Sequence, residues 1–280
     1  MHQIKAQEII EKVSALCMDA SFNLSEDVIR ALEQALEREE SPIGKEIITQ
    51  LLENARIGRE ESMPICQDTG VACIFVEVGQ DVQIAEGSLY EAINEGIRRG
   101  YREGYLRKSM VKDPFDRVNT GDNTPAVIHT DIVPGDKLKI TILEKGGGCE
   151  NMSRLTMLTP AQGQKGVIDF VVNTVREAGA NPCPPIIVGV GIGGTFDYAA
   201  YLAKKSLLRP IGMPNPDPAT AALERELLEK INSLGIGPQG IGGTVTALAV
   251  HVEKHPCHIT SLPVAVNIEC HSHRHKTVVL

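Results

Sequence analysis

Ser62-Met-Pro-Ile-Cys-Gln-Asp-Thr-Gly70, followed by Val71-Ala-Cys-Ile-Phe-Val76, reads as a turn that empties into a buried strand. Thr69-Gly70 favours the turn, and the unbroken apolar run after it favours a strand covered on both faces. Cys66, Gln67 and Asp68 therefore stand at a strand edge, where a rigid scaffold holds side chains open to a cleft. A thiol that can hold a metal, an amide that can orient a ligand and a carboxylate that can move a proton sit side by side. An ordinary surface turn with one buried thiol has the same local sequence, so the cysteines further along decide between the two readings.

Upstream, Ile9, Ile10, Val13, Leu16 and Cys17 recur at helical spacing, which puts Cys17 on an apolar face as core. Ser25 offers a cap for a second helix whose first turn carries Glu26 and Asp27, favourable at the positive end of the helix dipole. Ser41-Pro42 starts a third, with Ile47, Ile48, Leu51 and Leu52 as its buried stripe. Residues 1–60 are thus expected to form a helical N-terminal section.

Downstream, Cys73 is read as core in its strand, and Ser88 heads an amphipathic helix carrying Leu89, Ile93, Ile97 and Tyr101. It leads into a basic segment, Arg98, Arg99, Arg102, Arg107, Lys108 and Lys112, that forms a solvated face or points at an anion. Residues 125–133, 134–136 and 137–143 read as strand, turn, strand. Gly146-Gly-Gly148 excludes helix and good strand, and lets backbone N–H groups approach a ligand as an anion-binding nest. Cys149 follows directly. After a helix opened by Thr159-Pro160 and closed by Gly179 comes Asn181-Pro-Cys-Pro-Pro185, where prolines on both sides hold Cys183 still.

Ile186-Ile-Val-Gly-Val-Gly-Ile-Gly-Gly194 satisfies the dinucleotide-binding glycine pattern, but we read it as a decoy. The pattern also expects an acidic residue about 20 positions on, and residues 208–216 contain none. Gly191-Ile-Gly-Gly-Thr195 recurs as Gly240-Ile-Gly-Gly-Thr244, which suggests two similar tight turns around the helix that carries Leu223, Leu227, Leu228, Ile231 and Leu234. Residues 245–252 and 262–268 read as the last strands, the first leading to His255-Pro-Cys-His258 and the second delivering Glu269-Cys-His271. Five of the eight histidines lie between His255 and His275.

The whole predicts a mixed α/β fold: the helical N-terminal section, then mixed sheets flanked by helices, with a metal site at strand-end loops, as one domain over 1–280. With 42% apolar residues, the 280-residue chain can bury a substantial core. A net charge of −8 with no Trp argues against a nucleic-acid surface of basic patches and stacking platforms. No apolar run approaches the roughly 20 residues needed to span a bilayer, and the start lacks a signal-peptide layout. A cytoplasmic protein is expected, in which the seven cysteines stay reduced and some bind metal.

Cys66, Cys183 and Cys270 each lie where a strand or rigid loop meets a turn, whereas Cys17 and Cys73 lie inside apolar periodic segments. A structural zinc site would normally show a C-x2-C or H-x3-H pair, because local pairs close the chelate at little cost, and the sequence has no C-x2-C; zinc through Cys257, His258, Cys270 and His271 has poor spacing. Three widely separated thiolates fit an iron-sulfur cluster with one iron left open as a Lewis acid.

The Ile-Cys-Gln-Asp-Thr-Gly turn, Asn-Thr-Pro-Ala at 123–126, Gly-Gly-Gly-Cys-Glu-Asn at 146–151, Asn-Pro-Cys-Pro-Pro, the glycine-rich run and the closing Leu-Pro-Val-Ala-Val-Asn-Ile-Glu-Cys-His together resemble the alpha subunit of two-subunit class I fumarate hydratases, nearly end to end. The alpha subunit of L(+)-tartrate dehydratase is the near neighbour. The resemblance implies a hydro-lyase of the tricarboxylic acid cycle with an oxygen-sensitive 4Fe-4S cluster, hydrating fumarate to (S)-malate. It implies Cys66, Cys183 and Cys270 as cluster ligands, Asp68 and His258 as catalytic residues, and Gln67, Arg107 and the Gly147 backbone as contacts to a dicarboxylate substrate. Cys149 ranks below the other three thiols because three already fill the pattern. It also implies that a beta subunit supplies the catalytic base and further cationic contacts, in a heteromer of two alpha and two beta chains; the chain, which stops soon after Cys270, is expected to be half an enzyme. The competing class is a zinc-binding structural or assembly subunit without chemistry of its own.

Overall fold

The computed structural model describes residues 2–280. In chain order the elements are β1 (His2–Lys5), α1 (Ala6–Phe22), α2 (Glu26–Arg38), α3 (Pro42–Glu61), β2 (Val71–Gly79), β3 (Val82–Ala85), α4 (Leu89–Glu103), β4 (Val127–Val133) and β5 (Leu138–Lys145). There follow α5 (Gly147–Glu150), β6 (Arg154–Leu158), α6 (Gly163–Ala178), β7 (Ile186–Gly194), α7 (Phe196–Ser206), α8 (Pro218–Asn232), β8 (Ala247–Cys257), β9 (Leu262–Glu269) and β10 (His275–Val279), with short 3₁₀ turns at Pro160–Gln162 and Pro238–Gly240. The fold is mixed α/β. No helix among the described residues is long and apolar enough to cross a membrane.

The chain forms two compact units. The first comprises Met1–Ser25, Asn54–Gly147 and Arg274–Leu280; the second comprises Glu26–Glu53 and Gly148–His273.

In the first unit a four-stranded mixed sheet has the order β10-β5-β2-β4, and β1 pairs with β3 in a separate parallel ribbon. β2 inserts between β4 and β5, parallel to the former and antiparallel to the latter, so the strand-turn-strand segment read from the sequence is split by an earlier strand. The apolar spacing of α1 and α4 packs Ile9, Val13, Cys17, Ile93, Ile97 and Tyr101 with the strand residues Ile74, Val76, Ile140 and Ile142. Cys17 and Cys73 are buried, as their periodic contexts predict. Four strands went unread: β1 precedes the expected helices, β3 pairs with β1, β6 lies antiparallel to β9, and β10 lies antiparallel to β5. Each is short and gains its hydrogen bonds from a distant partner, so local pattern carries little of it.

In the second unit the sheet order is β6-β9-β7-β8. Alternation along β7 divides its two faces: Ile186, Val188 and Val190 pack with α6 and α8, whereas Gly189 and Gly191 lie under α7. A Cβ at Gly189 or Gly191 would stand 2.1 Å from the carbonyl oxygens of Ala203 and Ala199. The glycine run thus exists to let a helix approach a strand, which is the physical content behind the decoy. β7 is parallel to β8 but antiparallel to β9, so the sheet is mixed around it.

Candidate functional site

The residues singled out from the sequence divide between the units, with Cys66, Gln67, Asp68, Arg107 and Gly147 in the first and Cys183, His258 and Cys270 in the second.

In the first unit the Cys66 turn links the end of α3 to β2. Gly70 has φ +74, and a Cβ there would meet the Lys145 carbonyl at 2.6 Å, so both the backbone conformation and the close approach to β5 require glycine. Cys66 is half-buried and Gln67 exposed. Asp68 is held on both oxygens: Gly147 N–H donates to Oδ2 at 2.7 Å, while Gly70 N–H at 3.1 Å and the Ser109 hydroxyl at 3.3 Å donate to Oδ1. The carboxylate is therefore fixed in one orientation by two backbone donors.

The loop bearing Arg107 is tied to the same turn. Thr69 donates its hydroxyl to the Arg107 carbonyl at 2.8 Å. Asn123 accepts from the backbone N–H groups of Ser109 and Met110 and donates to the Gly70 carbonyl, so the Asn-Thr-Pro-Ala motif is a clamp on the loop. The Arg107 side chain is exposed. Arg98 and Arg99 pair with Glu95, and Arg98 also with Asp122, so these members of the basic segment form a solvated, salt-bridged face.

Gly147 begins the one-turn helix α5, contrary to the expectation that the glycine run excludes helix. The turn is short and its first N–H is capped by the Asp68 carboxylate, which offsets the poor propensity of glycine.

Sequence reading missed the layer behind the turn. Arg274, 1% exposed, donates from Nη2 to the Asp68 carbonyl at 2.8 Å and lies 3.8 Å from Glu144, which is fully buried. Ser21 donates its hydroxyl to Glu144 at 2.6 Å. Burial pushes the Glu144 carboxyl up to about 7, against the opposing pull of Arg274 and the Ser21 hydrogen bond. An arginine after a run of histidines and a glutamate in a strand carry no pattern that marks them as a buried pair.

In the second unit, sheet register places the cysteines. Cys183 stands before β7 with Pro184 and Pro185 between, and Cys270 directly follows β9, whose Glu269 pairs with Ile187 near the start of β7. β6 runs antiparallel to β9 with Arg154 opposite Val266, so Cys149, just before β6, belongs to this same end of the sheet. Asn267 donates to Glu150 at 2.9 Å and Ser153 at 3.1 Å, which pins α5 to β9. The donor atoms of Cys149, Glu269 and Cys270 lie within 4.8 Å of one another, all buried. Cys183 is exposed with φ +55, and its carbonyl is 3.1 Å from His271 Nδ1. Cys149, ranked low from the sequence, is thus a neighbour of Cys270.

His258 is at the opposite end. It follows β8 in the loop that leads into β9, so the eight residues of β9, roughly 26 Å of strand, separate it from Cys270. Its Nδ1 lies 2.8 Å from the Thr260 hydroxyl, and its side chain borders a cavity of about 450 Å³ together with Lys254, Cys257 and Ser261. The structure gathers Cys149, Cys183 and Cys270 and sets His258 apart from them.

A family profile described as fumarate hydratase (Fumerase) matches residues 10–279. A protein of Methanocaldococcus jannaschii named "Putative L(+)-tartrate dehydratase subunit alpha" is 44% identical over 273 residues, 95% of this chain and 95% of that protein. The L(+)-tartrate dehydratase subunit alpha of Escherichia coli strain K12 is 36% identical over 280 residues, 99% of this chain and 91% of its own length. On these matches, the chain belongs to the fumarate hydratase family and is a hydro-lyase.

Proposed function

We propose that the chain is the alpha subunit of an iron-sulfur hydro-lyase that exchanges water with a four-carbon dicarboxylate, with L(+)-tartrate as the substrate. The observation that carries the reading is the Asp68 carboxylate, next in sequence but one to Cys66 and fixed by Gly147 and Gly70 N–H groups. The relatives' names favour tartrate over the fumarate expected from the sequence; fumarate remains the second reading, favoured by the family description.

The donor set suits an iron-sulfur cluster, because thiols at rigid strand ends make preorganised soft ligands. Cys66, Cys183 and Cys270 would hold a 4Fe-4S cluster. When bound, such a cluster with one iron free of thiolate supplies a Lewis acid for the substrate hydroxyl or for water. Asp68 moves a proton to or from the departing or entering water. Its fixed orientation spares it reorganisation during that step. Arg107 grips a substrate carboxylate through its planar guanidinium, and Gln67 hydrogen-bonds the substrate beside it. His258, at the far end of β9 from Cys270, is proposed as a catalytic residue on the family resemblance alone.

The relatives are named as alpha subunits, which supports a beta subunit as partner, in an assembly of two alpha and two beta chains that works in the cytoplasm. The test is to reconstitute the chain anaerobically with and without the beta subunit and measure kcat/KM on L(+)-tartrate and fumarate. The expected result is turnover only in the complex and a preference for tartrate. A preference for fumarate by the complex would transfer the reading to fumarate hydration, and robust turnover by the single chain would overturn the need for a partner.

A further inference from the structure

We infer that Cys149, Glu269 and Cys270 form a mononuclear site for a soft divalent cation, Fe²⁺ or Zn²⁺, which fills when no cluster occupies Cys270. The inference does not need the proposed reaction. It uses second-unit residues alone and shares only Cys270 with the proposed cluster.

Three observations carry it. The donor atoms, two sulfurs and a carboxylate oxygen, lie within 4.8 Å of one another. Tetrahedral donors about 2.3 Å from a zinc ion stand about 3.8 Å apart, so closure onto an ion takes shifts of about 1 Å or less. Next, the three residues are 4%, 0% and 7% exposed, and charged groups so far from water are stabilised by a partner or a metal. Two thiolates and a carboxylate around a dication leave one net negative charge, and the ion displaces the thiol protons as it binds. Finally, two of the donors have an orienting neighbour. Cys270 Sγ lies 3.0 Å from the Ser272 hydroxyl, and Glu269 Oε1 accepts from Cys270 N–H at 3.2 Å. Outer partners of this kind fix ligand orientation in metal sites.

Two sulfurs and one oxygen select a borderline-soft ion over Mg²⁺ or Ca²⁺, which take all-oxygen shells. Because Cys270 cannot serve both, a bound single ion and a cluster exclude one another on the same chain. Zinc loading therefore blocks cluster assembly, and a bound ferrous ion occupies a position from which a cluster can be built.

The test titrates Co²⁺ into the full-length, cluster-free chain under anaerobic conditions. The expected result is one ion per chain with a thiolate-to-cobalt charge-transfer band that Mg²⁺ does not displace and Zn²⁺ does. The band should fall to about half in Cys149→Ser, with affinity reduced by more than about 100-fold, since even an outer-shell partner is worth about 10–100-fold. Glu269→Gln should weaken binding while leaving the band, and Cys183→Ser and Cys66→Ser should bind as wild type. Circular dichroism confirms that each variant is folded; Cys149→Ala serves if the serine variant is not. No charge-transfer band in wild type, a full band in Cys149→Ser, or loss of binding in Cys183→Ser would each overturn the assignment.

Discussion

Asp68→Asn changes one oxygen for an amide nitrogen, and the structure makes that change larger than its size suggests. Each Asp68 oxygen accepts from a backbone N–H, Gly147 on one side and Gly70 on the other. Whichever way the asparagine amide turns, its NH₂ group faces one of those N–H donors, and one hydrogen bond becomes a contact between two donors. A hydrogen bond to a charged group is worth about 1.5–3 kcal/mol, and the loss falls on a backbone N–H of the turn or of α5. At 1.36 kcal/mol per tenfold, that is roughly a 10- to 150-fold rise in local opening. Amide hydrogen exchange reads it directly: peptides covering residues 66–70 and 145–150 should lose protection by this factor, while α6 peptides do not change. Ser109→Ala, which removes only a neutral donor at 3.3 Å, should change the same peptides by about tenfold or less. In the assembled enzyme Asp68→Asn should lower kcat by about 100- to 10,000-fold, as expected for a general acid or base. Unchanged protection at Gly147 and Gly70 would refute the claim that the carboxylate fixes this turn, and turnover within a few-fold of wild type would remove Asp68 from proton transfer.

Cys66→Ser, Cys183→Ser and Cys270→Ser should each abolish cluster iron and sulfide in anaerobically purified complex, whereas Cys17→Ser and Cys73→Ser, both in the core, should keep iron; full iron in Cys183→Ser would break the ligand set. Glu144 has its carboxyl raised from 4.5 to about 7 by burial, so the folded chain resists ionising a group that the unfolded chain ionises readily. Its contribution favours the fold below about 4.5 and is lost as pH rises to about 7, a change on the order of 3 kcal/mol, and chemical denaturation across this range should show Glu144→Gln with a flatter profile than wild type. Gly191→Ala drives a Cβ to 2.1 Å from the Ala199 carbonyl, an overpacking of about 1–3 kcal/mol or more, and should lower the melting temperature; an unchanged melting temperature would contradict the close seating of α7 on β7.

Local signals carried far in this chain. Apolar spacing located α1, α4, α6 and α8, and the contrast between cysteines in turns and cysteines in apolar runs separated Cys66 and Cys183 from Cys17 and Cys73, but it also set Cys270 among the exposed thiols, and Cys270 is buried. What escaped depends on who stands opposite whom. The insertion of β2 between β4 and β5 is a matter of pairing, and nothing within either strand records it. The same holds for Cys149, which is distant from Cys270 in sequence but joins it because β6 runs antiparallel to β9. His258 shows the converse. Twelve positions from Cys270 looks close on paper, yet an extended strand converts that separation into distance. The buried Arg274 and Glu144 escaped because charge normally marks a surface, and only the three-dimensional neighbourhood shows the exception.

The first unit is assembled from three pieces of chain, and its final piece, Arg274–Leu280, supplies both β10 and the guanidinium behind Asp68. During synthesis the β5 edge has no β10 and the Glu144 carboxyl has no arginine until those residues leave the ribosome, after the whole of the second unit. The order of closure thus opposes the order of sequence: the unit that begins the chain is the last to be closed. A nascent or prematurely terminated chain that stops at His273 can hold every cysteine of the site and still lack the brace on the Cys66 turn. Completion of the last seven residues is therefore what supplies the guanidinium that holds the Asp68 carbonyl and, with it, the turn that carries Cys66.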